Sequence, residues 1–244
     1  MDHFNYQEDI LFAEDVALTD IAKQYGTPSY VYSRATLERH AKAYTESFKS
    51  MDGLVCFSVK ALSNIAVLKV LKKCGCGFDI VSGGELHRAL LAGADPQKII
   101  FSGVGKSKAE MAAGIKSNIL SFNVESESEL MTLEEVAKEM NAIAPVAIRF
   151  NPGVDAGGHE FTKTGRKSDK FGVSIDETMM LTAKCIQSKS LNIVGLTCHI
   201  GSQISELEKF SEAATQSLKL LLDVEKLGVE LNFIDMGGGL ESPM

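Results

Sequence analysis

The chain has 244 residues, 45% of them apolar and 23% charged, which suffices for one large core or two small ones. Its net charge of −7 gives no basic footprint for nucleic acid or anionic lipid, so the composition points to a small-molecule partner. The five cysteines, Cys56, Cys74, Cys76, Cys185 and Cys198, are odd in number and scattered, which reads as reduced thiols in the cytoplasm. Cys74-Gly75-Cys76 is half a metal site with nothing nearby to complete it, so no metal is expected.

Residues 1–32 read as a preamble. They lack the positive region and apolar stretch of a signal peptide, and no apolar run in the chain approaches the roughly 18–20 residues of a membrane span. A short helix over 20–25 stops at Gly26 with Pro28 just beyond, and 29–32 (Ser-Tyr-Val-Tyr) is rich enough in β-formers to predict a strand. Ser33 then caps a helix running to about Phe48, ended by Asp52-Gly53.

From residue 54 onward short β-branched runs alternate with longer amphipathic ones. Strands are expected over 54–59, 77–81, 98–101, 118–124, 145–151, 192–200 and 231–236. Helices are expected over 64–73, 84–92, 106–115, 126–140, 176–187 and 207–227. This alternation predicts an α/β fold with parallel strands, either doubly wound or a (β/α)8 TIM-type barrel. The barrel is favoured because chemically suggestive residues recur at the carboxyl ends of several strands, where such barrels place their active sites. Seven strands leave it incomplete, so either the fold is not this barrel or the sequence is a truncated version of a longer protein. The long irregular stretch 153–168, with four glycines and mixed charges, is placed to cover a ligand or to be a surface excursion.

The strand ends carry the chemistry. Lys60 closes the first apolar strand, where burial would favour its neutral, nucleophilic amine, although a lysine there can equally snorkel into solvent. Asp79 and Glu85 flank the end of the second strand, and Arg149 lies near the end of the fifth; a charge on a buried strand needs a partner. Cys198-His199-Ile200-Gly201-Ser202 ends the sixth, where a histidine ring can lie against a planar group while Ser202 donates a hydrogen bond. Gly237-Gly238-Gly239 follows the seventh, and consecutive glycines there let backbone N–H groups converge on a phosphate. Gly103-Val104-Gly105-Lys106-Ser107 imitates the end of a P-loop, but the leading glycine would fall at Ile100, so no nucleotide site is read from it. A strand-end lysine, a flat histidine and a glycine cradle are what pyridoxal phosphate requires.

Those residues stand in motifs that together resemble the alanine-racemase-like, fold-type III family of pyridoxal-phosphate enzymes. They are Gly26-Thr27-Pro28, Ser58-Val59-Lys60-Ala61, Phe78-Asp79-Ile80-Val81-Ser82-Gly83-Gly84-Glu85-Leu86, Phe101-Ser102-Gly103-Val104-Gly105-Lys106, Phe122-Asn123-Val124-Glu125-Ser126, Asn151-Pro152, Lys170-Phe171-Gly172, His199-Ile200-Gly201-Ser202-Gln203 and Asp235 with its glycines. The resemblance implies that Lys60 carries pyridoxal 5′-phosphate and His199 stacks on its ring. Ser202 and Gly237, Gly238 and Gly239 would bind the phosphate, with Asp79, Glu85 and Arg149 in support. It further implies a carboxy-lyase that converts meso-diaminopimelate to L-lysine and carbon dioxide, and a homodimer in the full-length member. Residues 1–32 would then join a β domain absent here, and 33–244 would form an incomplete cofactor barrel.

The sequence departs from the family's usual pattern at Leu62, at Gly153, over 164–169 and at its end, Glu241-Ser242-Pro243-Met244. Members of the family continue to an acidic partner for the pyridine nitrogen and to residues shared across the dimer. Isolated, the 244 residues are therefore expected to be inactive or severely impaired. A decarboxylase of ornithine or lysine, or a non-catalytic cofactor-binding remnant, remain as alternative readings.

Overall fold

The computed structural model describes residues 3–155 and 171–241, which fall into two compact units. The first comprises Met1–Ile80 with Gly84–Ile99, the second Val81–Gly83 with Ile100–Met244.

The first unit opens with an antiparallel meander, β1 (Phe4–Gln7), β2 (Ile10–Ala13) and β3 (Val16–Ala17). Its strands are four residues or fewer, too short for their alternation to stand out in the sequence, and its turns use left-handed backbone at Glu8 (φ 55°) and Glu14 (φ 55°). Helix α1 (Leu18–Tyr25) ends as expected on Gly26, whose φ of 83° suits glycine and whose N–H bonds Ala22 O. The strand expected over 29–32 does not form. Those residues pair with no described strand and Tyr30 is 91% exposed, and β-propensity without a neighbour to pack on does not make a sheet. Helix α2 (Arg34–Ser47) follows with Ser33 Oγ accepting from Thr36 N at 3.1 Å.

Strand β4 (Cys56–Ser58), helix α3 (Ile65–Lys73), strand β5 (Gly77–Ile80) and helix α4 (Gly83–Leu91) then begin the alternation. Asn64 caps α3 through Ala66 N at 2.9 Å, turning Val67, Leu68 and Leu71 inward. Strands β4 and β5 pair in parallel, with Ser58 opposite Asp79. The strand expected over 54–59 is shorter than that, because Val59–Ala61 turns into a 3₁₀ helix.

In the second unit, strands β6 (Ile99–Phe101), β7 (Ser121–Val124), β8 (Ala144–Arg149), β9 (Leu191–Thr197) and β10 (Phe233–Asp235) alternate with helices α5 (Lys108–Ser117), α6 (Glu127–Glu139), α7 (Ile175–Gln187) and α8 (Leu207–Glu225). Successive strands from β6 to β10 pair in parallel. Phe101, Phe122, Ile148 and Leu196 are fully buried, and the rings of Phe101 and Phe122 stack at 6.0 Å between centroids. Gly114 of α5 makes room for this layer, since a Cβ there would lie 2.6 Å from Phe122 Cζ. The strand expected from 118 starts three residues later, because Asn118 takes the left-handed conformation (φ 55°) that ends α5.

The fold class is α/β, with seven described parallel strands alternating with helices as in an incomplete (β/α)8-type barrel. No described helix is long and apolar enough to cross a membrane. Of the stretch 153–168 expected to cover a ligand, residues 156–168 lie outside the described residues, as do 169, Lys170 and 242–244.

Candidate active site

Lys60 sits in the middle of the 3₁₀ turn that leaves β4, and its side chain is exposed. The burial expected of a strand-end lysine is not what surrounds it; exposure instead makes the amine accessible. Two residues earlier, Ser58 Oγ donates to Asp79 Oδ2 at 2.8 Å across the β4–β5 pair. The other oxygen, Asp79 Oδ1, is buried with no partner. Glu85 lies half-buried in the first turn of α4. Lys60, Asp79 and Glu85 thus all follow or end strands of the first unit on the carboxyl side.

The second unit assembles the other group. Arg149, Thr197 and Asp235 stand in one row across β8, β9 and β10, and Thr197 Oγ1 donates to Asp235 Oδ2 at 3.1 Å. His199 lies two residues past that row, and its Nδ1 accepts the N–H of Gly238 at 3.3 Å. Gly237 N–H donates to Asp235 Oδ1 at 2.8 Å.

The glycines here are dictated by close approach. A Cβ on Gly237 (φ 68°) would meet Cys198 O at 2.6 Å and His199 Nδ1 at 2.8 Å; one on Gly239 (φ 103°) would meet Gly201 O at 1.9 Å and Ser202 Cα at 3.2 Å. The loop after β10 is therefore pressed against His199-Ile200-Gly201-Ser202, bringing His199, Ser202 and all three glycines together. Beneath them Cys198 is fully buried, and burial pushes its thiol up to about 11, so it is not a nucleophile.

Two side chains that partner the predicted site residues were not singled out by the sequence pattern. Glu125, one residue past β7, receives Arg149 Nη1 at 2.9 Å and is the partner that a charge on a buried strand requires. The same rule that flagged Arg149 applies to an acidic residue directly after the buried strand segment Phe122-Asn123-Val124. Asp235 ties the row of strand ends to the glycine loop, and its signal was its place immediately before Met236 and the glycines.

The P-loop look-alike is structural. Lys106 has a side chain only 1% exposed, and its three N–H groups go to Gly103 O at 2.6 Å, Asn123 O at 2.8 Å and Glu129 Oε1 at 2.6 Å. A fully partnered buried ammonium has no donor left for a phosphate.

Each unit, taken by itself, carries groups of the kind that part of pyridoxal phosphate requires. An accessible amine at Lys60 suits its aldehyde, and the buried, unpartnered Asp79 Oδ1 is an acceptor awaiting a donor. The loop at Gly237 and Gly239 admits no side chain, as a backbone cradle for phosphate requires.

Residues 34–243 match the family model for the pyridoxal-binding domain of pyridoxal-dependent decarboxylases. The diaminopimelate decarboxylase of Vibrio cholerae is 48% identical over 241 residues, covering 98% of this chain and 58% of that protein. The enzyme of the same name from Pseudomonas aeruginosa is 48% identical over 240 residues, with the same coverage. Among solved structures, diaminopimelate decarboxylase from Helicobacter pylori complexed with L-lysine superposes with a TM-score of 0.88 at 39% identity, covering 92% of this chain and 57% of that one. The chain thus spans a little over half the length of the relatives it matches.

Proposed function

The chain belongs to the family of pyridoxal-dependent decarboxylases, through a match over residues 34–243 to their pyridoxal-binding domain, and from that premise we propose that it serves the decarboxylation of meso-diaminopimelate to L-lysine. The observation that carries this reading is the 48% identity to diaminopimelate decarboxylases over nearly the whole chain. The L-lysine bound to the Helicobacter pylori structure is the product such a reaction would release.

In this reading Lys60 offers its accessible amine to the cofactor's aldehyde, and Asp79, steadied by Ser58 Oγ, keeps one oxygen for a donor brought by the ligand. His199, held at Nδ1 by Gly238 N–H, would lay its ring against the cofactor. Ser202 and Gly237, Gly238 and Gly239 hold the phosphate, and Arg149 and Glu85 support the charge balance. When bound, pyridoxal phosphate supplies the electron sink for the pair left behind as the carboxyl group departs as carbon dioxide. We propose that the protein works in the cytoplasm, in keeping with five cysteines that form no disulfide among the described residues, and as a homodimer without nucleic-acid or membrane partners.

The test is to incubate the purified protein with pyridoxal phosphate, reduce with borohydride and map the modified peptide. An adduct on Lys60 supports the reading, and an adduct elsewhere overturns it. Carbon dioxide release, however slow, from meso-diaminopimelate ahead of L-ornithine and L-lysine supports the substrate class; release led by either of the others replaces it.

A further inference from the structure

Among the described residues, one hydrogen bond holds the Arg149 guanidinium. Its Nη1 donates to Glu125 Oε1 at 2.9 Å, while Glu125 Oε2 is buried and takes no hydrogen bond. Two-point grips are the stable way for a carboxylate to hold a guanidinium, so this pair is not built for maximal grip. The Arg149 guanidinium also lies 5.2 Å from the Phe171 ring centroid, within cation–π range. The guanidinium thus contacts both a carboxylate and a ring, and its fork has N–H groups beyond Nη1 with which to serve a ligand.

Glu125 is itself placed by a chain of buried contacts. Its backbone N–H donates to Glu129 Oε2 at 2.9 Å, and Glu129 Oε1 takes Lys106 Nζ at 2.6 Å. Lys106 in turn fastens the loop after β6 through Gly103 O and the end of β7 through Asn123 O. Side-chain exposures of 1% at Lys106, 8% at Glu129, 2% at Glu125 and 14% at Arg149 trace a path from the packed interior to the strand ends. Fixed charges in such a setting stay where the backbone puts them.

We propose that Glu125 is a positioning residue that aims Arg149 at the bound cofactor, and that the Lys106–Glu129 pair sets where Glu125 stands. This rests on the assignment of Arg149 to the cofactor site made under the proposed function. Glu125 touches neither ligand nor reacting atoms; it acts through Arg149.

The test reads Arg149 itself. In the cofactor-free protein, the exchange rate of the Arg149 Nη–H protons, followed by NMR, is expected to rise about ten-fold in E125Q, to return most of the way in E125D, and to rise in E129Q, which does not touch Arg149. Circular dichroism confirms that each variant is folded. Equal exchange in wild type and E125Q overturns the proposal, and equal exchange in wild type and E129Q overturns its second half. Pyridoxal-phosphate titration is the second readout. The dissociation constant is expected to rise about ten-fold in E125Q and in R149Q, with the double variant no worse than R149Q. Losses that simply multiply in the double variant overturn the proposal. If the wild type forms no borohydride-trapped adduct on Lys60, the cofactor reading fails, while Arg149 exchange still decides whether Glu125 holds it.

Discussion

Lys60 and Lys106 each follow the carboxyl end of a parallel strand, β4 and β6, and end in opposite circumstances. Lys106 is 1% exposed at its side chain, with all three N–H groups spent on two carbonyls and a carboxylate. Lys60 is exposed on a 3₁₀ turn and stands beside a strand pair whose Asp79 keeps a buried oxygen unpartnered. The difference teaches where to look for chemistry: a saturated polar cluster is scaffold, whereas an accessible amine beside an unmet acceptor is capacity held for a ligand.

Replacing the two lysines in turn should separate scaffold from site. Lys106→Met leaves the Glu129 carboxylate and two carbonyls buried without their cation, so stability should fall by about 3–5 kcal/mol in denaturant unfolding, because an uncompensated buried charge is costly. Lys60→Met should change stability by no more than about 0.5 kcal/mol, as surface substitutions do, yet abolish the borohydride-trapped adduct. If both variants lose stability alike, the distinction between the two lysines collapses.

The glycine loop offers the next largest effect. Gly239→Ala drives a Cβ to 1.9 Å from Gly201 O at a φ of 103°, so the loop must leave His199-Ile200-Gly201-Ser202. Backbone strain of this kind costs about 1–3 kcal/mol, and cofactor affinity should fall with it. Gly238, where a Cβ would meet nothing within 4 Å, is the control. Gly238→Ala should leave the fold intact, and a loss equal to that of Gly239→Ala would show that loop sequence, rather than its approach to Gly201, is what matters.

Much of this contrast is legible in the order of residues alone. Strand ends from Lys60 to Gly239 stand out because β-branched runs alternate with capped helices, and Ser33, Asn64 and Ser107 cap α2, α3 and α5 through their side chains. The β1–β3 meander does not, since two- to four-residue strands carry too little periodicity. The expected strand over 29–32 fails for the converse reason, having propensity but no neighbour. In the site, the sequence names residue types but not their partners. That Asp79 meets Ser58, Arg149 meets Glu125 and Gly238 meets His199 depends on strand register, which one sequence does not print.

The smallest effect tests the scaffold side through pH. Glu110 closes the capping box of α5, accepting Ser107 N at 3.0 Å and Ser107 Oγ at 2.7 Å, and reaches Gly83 N at 2.8 Å. Those donors, the Gly83 N–H foremost, hold its carboxyl below the ordinary value of 4.5. A depressed folded-state value means that the stability it contributes is fully present above the unfolded carboxyl's titration and is lost as pH falls through the folded one. Glu110→Gln removes that dependence, since an amide does not titrate. Its cost should be about 1 kcal/mol near neutrality, the scale of a lost helix cap, and should shrink as acid protonates the wild-type carboxyl. Unfolding midpoints for both proteins, measured from neutral pH into the acid range, should therefore converge below 4.5. A gap that stays constant with pH would mean that Glu110 contributes through packing against Gly83, where a Cβ would already lie 3.0 Å from Glu110 Cγ, and not through charge.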